Sequence, residues 1–489
     1  MEALSATLRG IAARGPLGLF IDGQWRASSG DRHVDVIAPH TEERLLRYTE
    51  PSHADTEAAV AAARAAFDTG PWPQLSPPER GVILKRVADQ LRARMPELAE
   101  AWTGQVGATI GFSRRASQQA PGLFDYYGDL IAMHPFVEPR ARSSGGRVHV
   151  VQEPVGVVVA ITPWNAPLVL LCYKVAAALA AGCTVVAKPS PETPIDAYIL
   201  AECISAAGVP DGVFNLLPAG REVGEQLIRH PLVDKVSFTG STQAGRLIGV
   251  ACAERLARVG LELGGKSAAI VLEDADLAKV LPSLVPYSMP ITGQVCFALT
   301  RVLVPAQRRE EVLQAYCAAL SAVKLGDPFA ADTGMGPLAL GRQLERVQSY
   351  IAQGSAEGAQ LVMGGNRPAH LPRGFFIEPT VFANVTPDMT IAREEIFGPV
   401  VSFIDYHDEA DMIAKANASD YGLHGTVYSE DVDRAYRIAR RVRSGSHSIN
   451  GMWVDIEMPF GGVKHSGIGR EGGIEGLHAF LETKTVYLG

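Results

Sequence analysis

Short runs of consecutive apolar residues alternate with longer helix-forming segments for roughly 100 residues, beginning at residue 155. These runs predict strands that are buried on both faces, because they lack the polar alternation of a half-exposed sheet. Strands are predicted at 155–161, 184–188, 213–217 and 233–239, and helices at 167–181, 193–207, 222–229 and from 242 onward. This order indicates right-handed crossovers and a doubly wound parallel sheet.

The segments on either side predict further elements and a second α/β domain. Residues 19–26 predict a hairpin that turns at Asp22 and Gly23, followed by helices at 55–67 and 78–95. In the second half, strands are predicted at 268–272, 302–305, 374–385 and 425–428, and helices at 342–357 and 431–441. Segments 148–153 and 483–488 predict edge strands that are far apart in the sequence.

Composition and charge exclude several classes of function. A chain of 489 residues is too long for one core, so two or three domains are expected. The net charge of −8 and the lack of a basic stripe argue against a nucleic-acid partner. No run of about 18 apolar residues predicts a membrane span, and residues 1–14 lack the apolar stretch of a secretion signal. We therefore expect a cytoplasmic protein with no membrane partner.

The six cysteines are scattered, with no Cys-x-x-Cys pair and no histidine close by in the sequence. This spacing indicates neither a zinc site nor a disulfide framework, so we expect no metal and a reducing compartment. The cysteines are Cys172, Cys183, Cys203, Cys252, Cys296 and Cys317.

Polar residues follow three of the predicted strands, at the carboxyl ends where parallel sheets bind ligands. They lie at 162–165 (Thr-Pro-Trp-Asn), 188–190 (Lys-Pro-Ser) and 239–245 (Thr-Gly-Ser-Thr-Gln-Ala-Gly). The third segment opens a helix, so its N–H groups and the helix dipole can hold a pyrophosphate. It lacks the G-x-G-x-x-G fingerprint of dinucleotide sites, and a tight structural turn is the alternative interpretation.

Cys296 and Glu262 form a candidate pair of nucleophile and base. Cys296 follows Gly293 and Gln294 on a turn where backbone N–H groups can converge on charge beside its sulfur. Alone, such a cysteine is more often a small buried hydrophobic residue. Glu262 lies between an apolar stretch and two glycines, where partial desolvation would raise its pKa and suit it to general base catalysis. A solvated surface glutamate is the alternative.

Together with other motifs, this pair resembles the NAD(P)-dependent aldehyde dehydrogenase superfamily, from about residue 20 to the C-terminus. The other motifs are the Trp-Asn turn at 164–165, the Gly-Ser-Thr turn at 240–242, Glu-Ile-Phe-Gly-Pro at 395–399 and Pro-Phe-Gly-Gly at 459–462. The resemblance implies a Rossmann-like doubly wound cofactor domain (1–131 and 152–261), a second α/β catalytic domain (262–464) and a small β oligomerisation domain (132–151 and 465–489).

The resemblance also implies a mechanism. Cys296 attacks an aldehyde to give a thiohemiacetal and then a thioester, while Asn165 and the N–H of Cys296 hold the oxyanion. Glu262 acts as the general base that activates water, so that the product is a carboxylic acid.

NAD is the implied cofactor, and NADP is possible because Pro191 stands where the family often has a glutamate that disfavours a 2′-phosphate. Lys188 is expected to bond the adenosine ribose, Ser241 the pyrophosphate, and Glu395 the nicotinamide ribose. The implied cofactor-binding residues are Ile161, Thr162, Pro163, Trp164, Lys188, Ser190, Glu192, Gly220, Gly224, Phe238, Thr239, Gly240, Ser241, Gly245, Leu263, Glu395 and Phe397.

The position after the Trp-Asn pair is often a bulky aromatic residue in the family, and here it is Ala166. We therefore predict a roomy apolar pocket for a medium-chain, aromatic or terpenoid aldehyde, in a homo-oligomeric enzyme that is a dimer or a tetramer. The predicted pocket residues are Ala166, Leu170, Tyr173, Val295, Phe297 and Phe460. Two alternatives stay open: a cofactor-independent thiol esterase or acyltransferase, and a catalytically silent binding protein on the same scaffold.

Overall fold

Five neighbouring parallel strands form the centre of the larger sheet in the computed structural model, which describes residues 18–488. Three antiparallel strands extend this sheet, one at one edge and two at the other. In spatial order the eight strands are Gly467–Ile468, Arg258–Glu262, Lys235–Thr239, Val157–Ile161, Thr184–Lys188, Phe214–Leu216, Leu19–Ile21 and Gln24–Arg26. The predicted doubly wound sheet and the hairpin at 19–26 are confirmed.

Burial on both faces explains why the central strands lack polar alternation. Every residue of Val157–Ile161, Thr184–Lys188 and Lys235–Thr239 is buried, since helices cover both sides of the sheet. The helix Pro167–Ala181 is also buried around nearly its whole circumference. A helix with apolar residues on all sides belongs inside a protein, and this one lies in the largest hydrophobic core.

A second, seven-stranded sheet is formed mainly by the second half of the chain. It is parallel except for one antiparallel pair at an edge. In spatial order its strands are Gln360–Met363, Thr380–Ala383, Val400–Tyr406, Arg301–Pro305, Ala268–Val271, Gly425–Tyr428 and Ser448–Ile449. The strand predicted at 374–385 was too long, because Gly374 adopts a φ of 90° and Pro379 directly precedes the strand that does form.

Two small antiparallel sheets contain the remaining strands. His33–Ala38 pairs with Glu43–Thr49, and a three-stranded sheet has the order Leu481–Leu488, Arg147–Pro154, Val137–Ala141. The prediction that 148–153 is an edge strand was therefore wrong, because Arg147–Pro154 is the central strand. Val137–Ala141 was missed because Pro139 interrupts it and its residues are exposed, which removes the apolar signal.

Sixteen α-helices occur in residues 18–488. They are His53–Asp68, Pro77–Ala93, Met95–Val106, Ile110–Ala116, Gln119–Met133, Pro167–Ala181, Ile195–Ala206, Arg221–Arg229, Thr242–Glu254, Leu277–Ser288, Arg309–Ser321, Gly341–Ala356, Thr390–Arg393, Glu409–Asn417, Val432–Ala439 and Gly473–His478. None of the helices in this described range is long and apolar enough to cross a membrane.

The domain boundaries given by the sequence remain a prediction. The sheets show where the segments of the implied oligomerisation domain lie. The three-stranded sheet combines residues from 132–151 and 465–489, as the implied oligomerisation domain requires. Within the same C-terminal segment, however, Gly467–Ile468 pairs with Arg258–Glu262 in the eight-stranded sheet. The sequence predicts that residues 1–14 contain no secretion signal. These residues belong to the segment 1–17, which lies outside the described residues.

Candidate active site

A crevice opens where the order of strands in the larger sheet reverses. After Val157–Ile161 the chain forms strands on one side of it, and Lys235–Thr239 then pairs on the other side. The loops that follow these two strands diverge, and open α/β sheets bind ligands at such a switch point. Two of the three polar segments predicted from the sequence, at 162–165 and 239–245, begin at this place.

A cavity of about 400 Å³ occupies the crevice. Eleven of the predicted site residues border it: Pro163, Trp164, Asn165, Leu170, Thr239, Gly240, Ser241, Leu263, Cys296, Glu395 and Phe397. Six further residues on its wall were not predicted: Thr242, Gln243, Gly264, Gln343, Arg346 and Tyr421. Gln343 and Arg346 lie on the helix Gly341–Ala356. Their spacing in the sequence is that of an ordinary amphipathic helix and does not indicate a binding site.

The turn at 240–242 places a helix N-terminus at the cavity. Ser241 is the N-cap of Thr242–Glu254, and its Oγ accepts a hydrogen bond from the N–H of Ala244 at 3.3 Å. Its hydroxyl hydrogen stays free to donate to an anion that binds at the positive end of the helix. A Cβ at Gly240 would lie 2.4 Å from the ring of Phe238, so this glycine is required for packing of the turn.

Cys296 follows a strained loop that backbone contacts hold in place. Ile291, Thr292 and Gly293 all adopt positive φ, at 47°, 58° and 75°. A Cβ at Gly293 would lie 2.1 Å from the carbonyl oxygen of Gly398, and one at Gly265 would lie 2.2 Å from that of Cys296. Ile291 and Thr292 store strain in this conformation, which glycine adopts freely, and the surrounding contacts must offset that strain, as is common at functional sites.

The surroundings of Cys296 favour the protonated form of its thiol. Burial raises its pKa well above the usual range, and the charges of Glu262 and Glu395 raise it further. The N–H groups of Phe297 and of Cys296 itself lower this pKa, as expected from the turn. Their effect is smaller than that of burial and the two carboxyl groups. The cysteine therefore needs a base, or a bound group that supplies positive charge, before it can act as a thiolate.

Glu262 is a buried carboxyl group at the end of the strand Arg258–Glu262. It is 5% exposed, and neither oxygen has a hydrogen-bond partner. Burial raises its pKa well above 4.5, and the charge of Glu471 adds to this, while the charges of Lys174 and Arg470 act in the opposite direction. A Cβ at Gly461 would lie 2.6 Å from Oε1, so that glycine leaves room for the carboxylate.

Asn165 is fixed beside the cysteine loop. Its Nδ2 donates to the carbonyl oxygen of Gln294 at 2.8 Å, and its own carbonyl accepts from the indole N–H of Trp102 at 3.0 Å. Gln294 is held in turn by the N–H of Ala339, which donates to its Oε1 at 2.9 Å. One N–H of the Asn165 amide remains available to an oxyanion formed at Cys296, in an orientation that these contacts determine.

Glu395 and Phe397 line the same cavity from the second α/β unit. The N–H of Gly265 donates to Glu395 at 3.0 Å, and burial raises the pKa of this carboxyl to about 7. The ring of Phe397 meets that of Trp164 edge to face, with 5.4 Å between centroids. Two aromatic rings and a carboxyl group thus surround the space next to Cys296.

The other nine predicted cofactor residues lie outside the cavity wall. Ile161 and Phe238 are paired strand residues below it, Thr162 has a buried hydroxyl without a partner, and Gly245 makes room for the side chain of Leu263. The remaining five, Lys188, Ser190, Glu192, Gly220 and Gly224, belong to the ends of the next two strands and the helix that follows.

This chain is similar to known proteins over nearly its whole length. A model of the aldehyde dehydrogenase family matches residues 25–486. The chain belongs to the aldehyde dehydrogenase family. The predicted superfamily and enzyme class are thereby confirmed.

Similar members of this family cover nearly the whole chain. A geranial dehydrogenase from Castellaniella defragrans is 46% identical over 471 residues, which is 96% of this chain and 98% of that protein. The crystal structure of a Mycobacterium tuberculosis aldehyde dehydrogenase complexed with NAD+ has a TM-score of 0.95 and 43% identity, covering 97% and 98% of the two chains. A mutant of Pseudomonas syringae aldehyde dehydrogenase C, complexed with NAD+ and octanal, has a TM-score of 0.93 and 40% identity, covering 97% of each chain.

A buried ion pair beside Glu262 in this aldehyde dehydrogenase was not predicted. Lys174, which is 0% exposed, pairs with Glu471 and donates to Oγ1 of Thr239 at 2.7 Å. The pair was not predicted because its two residues are 297 positions apart in the sequence. A lysine in the otherwise apolar helix at 167–181 was the one available signal.

A second cavity, of about 810 Å³, lies on the other side of the cysteine loop. Ile291, Thr292 and Phe297 border it, whereas Cys296 borders the smaller one. Apolar side chains such as Phe112 and Met452 form much of its wall. Among the predicted pocket residues, Phe297 lines this cavity and Leu170 lines the other.

The remaining four predicted pocket residues border neither cavity. The ring of Phe460 lies 6.2 Å from that of Phe297, directly behind the wall. Tyr173 and Val295 are buried, and Ala166 immediately precedes the helix Pro167–Ala181.

Proposed function

We propose that this chain oxidises a hydrophobic aldehyde to the carboxylic acid, with NAD+ or NADP+ as the hydride acceptor. The observation that carries this proposal is the position of Cys296, on a strained loop between two cavities and close enough to Glu262 for that carboxyl to raise its pKa. A nucleophile that borders the crevice thus lies within electrostatic reach of a desolvated carboxyl group.

The residues at the smaller cavity fit a dinucleotide. The N-terminus of Thr242–Glu254 with Ser241 suits a pyrophosphate, and Glu395 suits the hydroxyl groups of a ribose. Trp164 and Phe397 offer flat faces for an aromatic ring. The NAD+ complexes of the two similar structures support this assignment. When bound, the nicotinamide supplies the acceptor for the hydride that leaves the aldehyde carbon.

Cys296 provides the covalent step. Its sulfur adds to the aldehyde carbon, and its proton passes to a base, since the surroundings of the thiol raise its pKa. The oxyanion receives N–H donors from Asn165 and the backbone of Cys296. Loss of hydride from the thiohemiacetal leaves a thioester on the sulfur.

Glu262 completes the cycle as the general base for hydrolysis. Its raised pKa makes it a stronger base than an ordinary carboxylate, so it can take a proton from water. Attack of this water on the thioester frees the carboxylic acid and restores the thiol. Lys174 and Glu471 act electrostatically on Glu262, since the charge of Glu471 raises its pKa and that of Lys174 lowers it.

Removal of the charge of Glu471 is expected to move the acidic limb of activity to lower pH. Because that charge raises the pKa of Glu262, Glu471→Gln should lower this pKa, and the carboxylate form would then persist in more acidic solution. We expect a displacement of about one pH unit in the profile of kcat. The neighbouring Glu475→Gln, which changes an exposed carboxylate, serves as the control. An acidic limb that stays in place or moves upward would contradict the role of Glu471.

The larger cavity supports a hydrophobic medium-chain, aromatic or terpenoid substrate. Its wall is mainly apolar, and Asp332, the one carboxylate that borders it in the described part of the chain, is paired with Lys324 at 2.5 Å. A cationic aldehyde would therefore meet no free negative charge there. The similar geranial dehydrogenase and the octanal complex agree with this choice.

Kinetics with a panel of aldehydes test the proposed function. We expect kcat/KM for geranial, octanal and benzaldehyde to exceed that for acetaldehyde and betaine aldehyde by at least about tenfold, because each buried methylene contributes roughly 0.8 kcal/mol. Reduction of the cofactor is followed at 340 nm, with reactions lacking cofactor as the control. A preference for betaine aldehyde would refute the substrate assignment. Acid formation without cofactor would favour the thiol esterase, and no turnover would favour the silent binding protein.

We also propose that the chain works in the cytoplasm as a dimer or tetramer. In support, the outer strand Leu481–Leu488 of the three-stranded sheet exposes Tyr487 and Val486 at 70% and 40%. Large apolar side chains on the edge of a sheet are typical of surfaces that pair with another copy.

A further inference from the structure

The helix Met95–Val106 reaches the active site through one buried side chain, Trp102. Its indole N–H donates to the main-chain carbonyl oxygen of Asn165 at 3.0 Å. Asn165 supplies the side-chain oxyanion donor in the proposed function. Trp102 is not among the described residues that border either cavity, so any effect that it has on the reaction must pass through Asn165 or another neighbour.

The carbonyl group of Asn165 lies outside the hydrogen-bond ladder of the helix that follows it. Ala166 is the N-cap of Pro167–Ala181, and the ladder begins where the N–H of Leu170 donates to the carbonyl of Ala166 at 3.1 Å. A buried carbonyl group without a donor is costly. The indole N–H therefore supplies a bond that the helix does not, and it restrains the peptide group that carries the Asn165 side chain.

The side-chain amide of Asn165 has little restraint of its own. Its Nδ2 donates to the carbonyl oxygen of Gln294 at 2.8 Å, whereas its Oδ1 is buried without a hydrogen-bond partner in the part of the chain that the structure describes. An oxyanion donor is effective only when its N–H already points to the place where charge develops. A fixed main chain at Asn165 limits the directions in which the free N–H can point.

The indole ring of Trp102 is held by the wall of the larger cavity. The ring of Phe112 meets it edge to face, with 5.6 Å between centroids, and Phe112 borders that cavity. The hydroxyl of Thr103 donates to Oγ of Ser113 at 2.9 Å, which connects the two helices that carry the rings. A substrate that fills the larger cavity thus packs against the same aromatic pair that restrains Asn165.

A buried polar pair anchors the helix of Trp102 one turn further along. The Nε2 of Gln105 donates to Oδ1 of Asp196 at 3.0 Å, and its Oε1 accepts from the N–H of Ile195 at 3.2 Å. Gln105 is 1% exposed and Asp196 is 0% exposed. Displacement of the helix would leave these buried polar groups unpaired, so Trp102 belongs to an element with little freedom to move.

We propose that Trp102 is a positioning residue for the oxyanion donor: its indole N–H holds the main chain of Asn165 so that the side-chain amide meets the oxyanion formed at Cys296. The inference rests on the proposed function and adds a residue that touches neither substrate nor cofactor. Loss of the indole N–H leaves the carbonyl of Asn165 unpaired and lets the amide turn. The transition state then loses stabilisation, while the affinity for the cofactor stays.

Steady-state kinetics of Trp102→Phe test this role, because the substitution removes the N–H and keeps an aromatic ring. We expect kcat/KM for octanal to fall about tenfold, since a small displacement of a positioned group is costly. The dissociation constant of NAD+ should change less than about twofold. Asn165→Ala should lower kcat/KM about 10²–10³-fold. In the Asn165→Ala background, Trp102→Phe should cost less than about twofold, because the donor that it positions is already gone.

Trp72→Phe is the matched control. Trp72 is also fully buried, and its indole N–H has no hydrogen-bond partner within residues 18–488. The substitution removes the same volume and should leave kcat/KM unchanged within about twofold. A second variant carries β-(3-benzothienyl)alanine at position 102, where sulfur replaces the indole N–H in a ring of the same shape. It should lose as much activity as Trp102→Phe.

The double-mutant cycle separates positioning from a merely structural role. A tenfold loss caused by Trp102→Phe in both backgrounds would show that the residue only supports the fold, and it would overturn the proposal. An equal loss in Trp72→Phe, or a wild-type rate in Trp102→Phe, would overturn it too. If Asn165→Ala itself kept the wild-type rate, the oxyanion role of Asn165 in the proposed function would fall together with this inference.

Discussion

Replacement of Cys296 by alanine is expected to lower the rate of aldehyde oxidation at least about 10⁴-fold, because removal of a catalytic nucleophile leaves only binding and the oxyanion donors. Cys296 sits between the two cavities, so no other thiol in residues 18–488 can take over its position. The measurement is kcat for the preferred aldehyde, with the thermal unfolding temperature recorded to confirm that the variant is folded.

Cys317→Ala provides the matched control for this experiment. Cys317 is likewise partly exposed, but it lies on the helix Arg309–Ser321, away from the cavity beside Cys296. Its substitution should change kcat less than about twofold, as is usual for a site distant from the chemistry. If Cys296→Ala retained a tenth of the wild-type rate, the covalent mechanism would have to be abandoned.

Glu262→Gln is expected to separate the two halves of the reaction. The thioester can still form, so reduced cofactor should appear in a burst of about one equivalent per site. Steady-state turnover should then fall about 10²–10⁴-fold, because water attacks without a general base. Rapid-mixing absorbance at 340 nm resolves the two phases. Steady-state rates equal to those of the wild type would exclude Glu262 as the base.

The pH dependence gives an independent check. A carboxyl group whose pKa is raised acts as a base only above that pKa, so the wild-type rate should decline as pH falls through values higher than the usual carboxyl range. In Glu262→Gln the residual rate should lack this acidic limb. Glu254→Gln, which changes an exposed carboxylate at the end of a helix, should keep both the rate and the limb of the wild type.

Most central strands of the larger sheet were predictable from the sequence because they are buried on both faces. The predicted limits 167–181 and 184–188 coincide with Pro167–Ala181 and Thr184–Lys188, since glycine and charged residues mark their ends. The strand Val137–Ala141 was not predictable, because its stability comes from pairing with Arg147–Pro154 rather than from an apolar face. Pairing of this kind depends on contacts that local sequence does not record.

Local motifs predicted residues that border the cavity, such as Cys296, Asn165 and Glu395, but they did not predict the electrostatic setting of these residues. The ion pair of Lys174 and Glu471 joins parts of the chain that only the tertiary fold brings together. The raised pKa of the Cys296 thiol was also not predicted. The turn supplies the N–H groups that the sequence predicted, yet desolvation and two carboxyl groups outweigh them. Desolvation depends on all the atoms around a group, so it cannot be deduced from a motif.

The glycines around Cys296 also decide where this enzyme can be engineered. Gly265 and Gly293 face main-chain atoms at distances that leave no space for even a methyl group, and main-chain atoms cannot swing aside as the end of a long side chain can. Libraries that randomise these positions should return mostly inactive clones. Altered selectivity is better sought at Phe112 or Met452, where the wall of the larger cavity can be reshaped without touching the reactive loop.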